Sequence, residues 1–201
     1  MFPNLITYHV HRSDPLPANN AHLYQYILAG NGLFLRAGTP WWEVIMPLQR
    51  YLIRGLLPVQ PVFRLLMGRL PESLLAAAYQ SALTAREKNG GLREALYSFQ
   101  VQEKQVRLMR PRQIATPIRV TSAGLDDPTI LLELHSHGNM PAFWSFTDDG
   151  DEQGIRLYGV MGRLDSVPEI KFRVGVCGHW QPLFVHQLFN GTAGFRDANR
   201  N

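Results

Sequence analysis

TILLELHSHGNMPAFWSFTDDGDE, residues 129–152, is the stretch on which the reading of the chain turns. Thr129 to Leu134 is a run of threonine and aliphatic residues of the kind that fills a central β-strand. It carries straight into His135-Ser136-His137, and Gly138-Asn139 then ends it. Side chains two apart on a strand point to the same face, so His135 and His137 aim their imidazoles at one point. Two such rings can hold a borderline metal through nitrogen. Asp148 lies eleven residues beyond His137, a span that folds back as a loop and short helix. Two histidines, one carboxylate and a water in the fourth position make a catalytic zinc site. Asp149, Asp151 and Glu152 compete with Asp148 for the acid's place. A calcium loop fits worse, because Asp148-Asp149-Gly150-Asp151 lacks the further ligands and the terminal glutamate spacing.

Working outward, the best helix signal precedes this stretch, over 71–88. Pro71 suits a first turn and Glu72 suits the positive helix end. Leu74, Leu75, Ala78, Tyr79, Ala82 and Leu83 make a broad apolar face, and Asn89-Gly90-Gly91 supplies a stop. Leu92 to Gln100 reads as a buried strand with Arg93 and Glu94 at its rim, and 101–108 as its extended continuation. Gln113 to Val120 reads as one more strand, at an edge because of Pro117, and Asp126-Asp127-Pro128 as a turn. Beyond the decisive stretch, Ile155 to Met161 and Ile170 to Cys177 are strands. In the second of these, Phe172, Val174 and Val176 alternate with Lys171, Arg173 and Gly175. The pattern from Trp180 to Phe189 fits either helix or strand, and 194–201 is expected to fray. Before the helix, the runs 23–28 and 33–36 flank Ala29-Gly30-Asn31-Gly32, a hairpin signal, and Trp41 to Pro47 is extended. The expected organisation is an N-terminal extension with a β-hairpin over 1–70 and a main domain over 71–201.

The 201 residues suffice for one sizeable core, and 45% hydrophobic against 18% charged is a globular balance. A single cysteine excludes an intramolecular disulfide and any cysteine-cluster metal site, and it points to a reducing, cytoplasmic setting. The formal net charge of +4 permits a polyanionic partner without demanding one. No run approaches the roughly 20 apolar residues of a membrane span, and no targeting segment is recognisable at the N-terminus.

His135-x-His137, seven residues, Ser145, two residues, Asp148 resembles the His-x-His-(x)7-Ser-x-x-Asp signature of the JAMM (MPN+, JAB) metalloproteases. That spacing selects Asp148 among the acids. The resemblance covers about 70–180, and it implies a JAB-like α/β (α+β) fold: a curved mixed β-sheet of about six strands flanked by helices. It implies a Zn2+ ion on His135, His137 and Asp148, with Ser145 hydrogen-bonding the developing oxyanion or the water. It also implies a general base from the strand after the first long helix, which makes Glu94 the counterpart and Glu103 its nearest rival. The long N-terminal part and RVGVCGHWQPLF, 173–184, look like the JAB proteins of bacterial PRTRC gene cassettes. That likeness implies a ubiquitin-like small protein and a ThiF-like activating enzyme as partners. The implied activity is that of a zinc peptidase or isopeptidase acting at the C-terminus of the ubiquitin-like protein. The chain departs from the family pattern at Gly138, usually proline, where a freer loop is expected. It departs again after Glu94, where relatives carry glycines and this chain has Ala95-Leu96-Tyr97.

Other readings of the same residues stand beside these. Ser145 with Asp148 three residues on is also a helix capping box. His179, His186 and Cys177 are left outside the metal set, a buried free cysteine being ordinarily structural. Seven arginines between Arg36 and Arg93 raise nucleic-acid binding, but they form no stripe and no recognised module. A catalytically silent JAB-fold scaffold for the ubiquitin-like and ThiF-like partners is the main alternative to an enzyme.

Overall fold

A computed structural model describes residues 5–86, 90–111, 113–116, 119–122 and 127–200, with the backbone alone described for 113–116 and 119–122. The protein is mixed α/β, mostly strands in two mixed sheets with few helices. It forms two compact units, Met1–Gly68 and Arg69–Asn201.

The first unit is a five-stranded sheet rather than an extension with one hairpin. Its strands, in spatial order, are β1 (Ile6–Val10), β2 (Tyr24–Ala29), β3 (Gly32–Gly38), β4 (Trp42–Gln49) and β5 (Val62–Leu65). The β1–β2 pair is parallel and the rest antiparallel. The expected hairpin is β2–β3, turning through Gly30-Asn31. The Asn31 side chain clamps the Val59 backbone at both N–H and C=O, 2.9 Å each, which fixes the long loop before β5. Gly30 packs so close to the Leu56 carbonyl that a Cβ would not fit. The two outer strands escape the apolar pattern because β1 mixes Thr7 and His9 into only five residues and β5 is only four residues long.

The second unit opens with α1 (Glu72–Thr84), which buries Leu75, Ala78 and Ala82. It stops four residues short of the expected end. The chain turns extended at Ala85, whose carbonyl accepts from Arg93 N–H at 2.8 Å, and Arg86 bridges Leu92. Asn89 of the expected cap lies outside the described residues. The sheet runs β13 (His179–Leu183), β12 (Glu169–Val176), β11 (Ile155–Gly162), β10 (Ile130–Ser136), β6 (Leu96–Gln102), β7 (Gln105–Met109), with β14 (Arg196–Asp197) added to β12. The β10–β11 and β12–β14 pairs are parallel and the others antiparallel. The 101–108 stretch is therefore a hairpin turn, not one strand. Glu103 and Lys104 both take positive φ, 50° and 64°, without the asparagine or glycine that would have signalled it. Likewise 113–120 is not one strand but parts of two, β8 (Gln113–Thr116) and β9 (Arg119–Ser122), and Pro117 lies outside the described residues. The unresolved 180–189 pattern is both elements in turn, the end of β13 and then α3 (Val185–Leu188).

The tail does not fray over 194–200. Phe195 is buried against Tyr79, and the Asn199 amide donates to the carbonyls of Phe172 and Leu183 at 2.7 and 2.9 Å. Strand pairing sorts the sheet's side chains onto two faces. Leu132, Leu134, Tyr97, Phe99, Leu157, Phe172 and Val174 share one, closed by Phe189, which meets Phe99 and Phe172 ring to ring. The opposite face carries Ser98, Glu133, His135, Tyr158, Lys171 and Arg173, an unusually polar set for a central sheet.

Candidate metal centre

The polar face leads to the end of β10. His135 is its penultimate residue, and His137 follows it directly, its N–H donating to Met161 O at 2.8 Å so that the parallel pairing with β11 runs one residue further. Ser136, between them, points to the opposite face and is fully buried. Its Oγ accepts from Ala95 N–H at 3.1 Å, and its own N–H donates to Ala95 O at 2.9 Å. This clasp ties the start of β6 to the histidine pair. Glu94 is not inside β6 but two residues before it. Continuing the pairing of His135 with Leu96 two residues on each side sets Glu94 opposite His137, on the same face.

Gly138 turns the chain with φ of +58°, a left-handed conformation closed to proline, whose ring fixes φ near −65°. Its carbonyl accepts from Leu164 N–H at 3.0 Å, and an added Cβ would press on Leu92 at 3.2 Å. The glycine thus serves a fixed turn rather than a slack loop. The loop then crosses Gly162 so closely that no Cβ fits beneath Met140, Pro141 and Ala142. Phe143 lies edge-on to His137 and Trp144 edge-on to His135, with ring centroids 4.7 and 6.3 Å apart.

Ser145 caps α2 (Phe146–Asp151) through a full capping box: its Oγ accepts from Asp148 N–H at 3.1 Å and its N–H donates to Asp148 Oδ2 at 2.6 Å. Cap and metal roles do not exclude each other. Asp148 gives Oδ2 to the backbone and leaves Oδ1 3.4 Å from His135 Nε2, while Oδ2 stands 3.9 Å from His137 Nε2. The two Nε2 atoms are 3.1 Å apart. Four-coordinate zinc with bonds of about 2.0–2.1 Å keeps its ligand atoms about 3.3–3.4 Å apart, so the three side chains fit such an ion. Among the described residues, His135, His137 and Asp148 are the one His/Cys/Asp/Glu group with ligand atoms gathered in this way.

Electrostatics favour the same use. Burial lowers the pKa of His135 to about 4 and outweighs the opposing pull of Asp148, so the ring is neutral at pH 7 with its lone pair available. His137 is lowered for the same first reason. Glu94 is raised to about 7 by burial and then by the charge of Asp148, which brings it within the field of the cluster. Glu103 sits in the turn at the far end of β6, about 30 Å of strand from Glu94 at some 3.3 Å per residue. Of the rival acids, Asp149 and Glu152 turn to Arg173 instead. His186 stacks on Phe184 and contacts Arg200 at 3.0 Å, and neither it, His179 nor Cys177 joins the cluster.

Sequence reading missed Arg173. The guanidinium is buried on β12, 3.9 Å over the Trp144 ring and 4.8 Å over that of Trp180. The alternation of Ile170 to Cys177 marked Arg173 only as a member of the polar set. Nothing local to the strand announces the partners Glu152, Asp149 and Trp144, 21 to 29 residues away.

No family model matches the chain, and no curated protein matches it.

Proposed function

We propose that the chain is a zinc-dependent peptidase or isopeptidase of the JAMM type. On this reading it hydrolyses an amide bond at the C-terminus of a ubiquitin-like protein, on a JAB-like curved sheet. The observation that carries the proposal is the meeting of His135, His137 and Asp148 with Glu94 alongside. Zinc held there supplies Lewis acidity and lowers the pKa of a water at the open position. Glu94 would take a proton from the attacking water and return it to the leaving amine, and a carboxyl poised near neutrality suits both halves of that duty. Ser145 accepts from Asp148 N–H and keeps its hydroxyl proton to donate to an oxygen that gains charge. Phe146, 94% exposed and next to Ser145, offers an apolar contact to the arriving chain.

The test is zinc content together with cleavage of ubiquitin-like proteins carrying C-terminal extensions. Wild type should bind one zinc and cut. Glu94→Gln should bind zinc and fail to cut. Zinc-loaded wild type that cuts no member of such a panel but binds its ubiquitin-like and ThiF-like partners would replace the enzyme with a scaffold.

A further inference from the structure

Asp148 sits on a helix of only six residues, too short to hold its place by its own hydrogen bonds. Something outside the helix must fix it. Arg173, on β12, bonds two residues that follow the ligand, one on α2 and one at its C-terminal cap. Its Nη1 donates to Asp149 Oδ1 at 2.6 Å, one residue after Asp148. Its Nε donates to Glu152 Oε2 at 2.8 Å, and Nη2 stands 2.6 Å from the same oxygen. Glu152 closes the helix by donating its N–H to Asp148 O at 2.8 Å. Trp180 Nε1–H donates to Glu152 O at 3.3 Å. The Trp144 ring that covers Arg173 is the one that also meets His135 edge-on. One buried guanidinium therefore touches the helix of the acid ligand and the aromatic neighbour of a histidine ligand.

We propose that Arg173 is a positioning residue of the metal centre, setting its affinity by clamping α2 through Asp149 and Glu152 and by seating Trp144 against His135. This rests on the zinc reading above. A forked, planar cation is required: a lysine ammonium cannot bond Asp149 and Glu152 in this geometry while also lying over two indole rings. Residues that orient ligands without touching the metal ordinarily govern tenfold to hundredfold in metal affinity.

The experiment is competition of the full chain with a chromophoric chelator for Zn2+, with Co2+ absorption as a report on coordination. Arg173→Met should weaken zinc binding about 10- to 100-fold and diminish the visible bands of four-coordinate Co2+. Arg173→Lys should recover only part of the loss. Val174→Ala, its neighbour facing the opposite side of the sheet, should lower the melting temperature yet keep wild-type zinc affinity. Should Arg173→Met fail to fold, Asp149→Asn removes one arm of the clamp at a half-exposed position and should weaken zinc several-fold. Wild-type affinity in a folded Arg173→Met, an unchanged Asp149→Asn, or an equal loss in Val174→Ala overturns the inference. Wild type that binds no zinc overturns the metal centre itself, and this inference with it.

Discussion

Glu94 carries a proton problem that a titration can expose. Its carboxyl is raised from 4.5 to about 7, first by burial and then by Asp148. In the metal-free protein the folded state therefore keeps a proton that the unfolded chain has already released. Its contribution to stability is full below about 4.5 and is lost as pH rises through about 7. Glu94 is only half-buried, so screening reduces the effect to about 1 kcal/mol. With chelator present, wild type should lose about 2–4 °C of melting temperature relative to Glu94→Gln between pH 5 and pH 8. A difference that stays constant with pH refutes the shift. The same carboxyl, followed by 13C NMR as the resonance that vanishes in Glu94→Gln, should titrate lower in Asp148→Asn, because the second cause has been removed. Zinc, by neutralising Asp148, should move it the same way. Among the ligands, Asp148→Ala should abolish stoichiometric zinc, and unchanged zinc content would remove Asp148 from the set.

Between elements, the ligand loop depends on a missing side chain. Gly162 of β11 leaves the space in which the backbone of Met140, Pro141 and Ala142 lies, and Ala142 N–H donates from there to Glu169 Oε2 at 3.3 Å. Gly162→Ala must push that loop away from the sheet. It should cost about 1–3 kcal/mol and weaken zinc binding together, since the loop joins His137 to Ser145. Loss of stability with zinc affinity intact would separate the loop from the site. This coupling marks where sequence reading stops. The β10 strand was legible because its aliphatic run is continuous, and the histidine pair because the strand period fixes which side chains meet. Asp148 was legible through its spacing from the histidines. The β6–β7 turn was not, because Glu103 and Lys104 adopt positive φ without a residue type that favours it. Arg173 was missed for a different reason: its role depends on contacts brought together by strand order, and β12 reads the same whether its polar face meets water or two tryptophans.

At the scale of the whole chain, the segments that carry His135, His137 and Asp148 are tied to parts distant in sequence. The clasp of Ser136 to Ala95 binds β10 to β6, and Arg173 binds β12 to α2. Among the described residues no helix is long and apolar enough to cross a membrane. An ion that binds only the folded chain stabilises it by mass action, about 2.7 kcal/mol at a free concentration a hundredfold above Kd. For a protein of this size that is about 5–10 °C of melting temperature. Zinc should produce such a rise in wild type, and chelator should reverse it. His137→Ala and Asp148→Ala should show none of it, while Glu94→Gln, which leaves every proposed ligand in place, should show it in full. The rise should also shrink as pH falls, because protons compete for the histidines, but the lowered pKa of His135 sets a low threshold for that ring. A zinc-dependent rise that persists in both ligand variants would place the ion elsewhere on the chain, and the hydrolase reading would lose its centre.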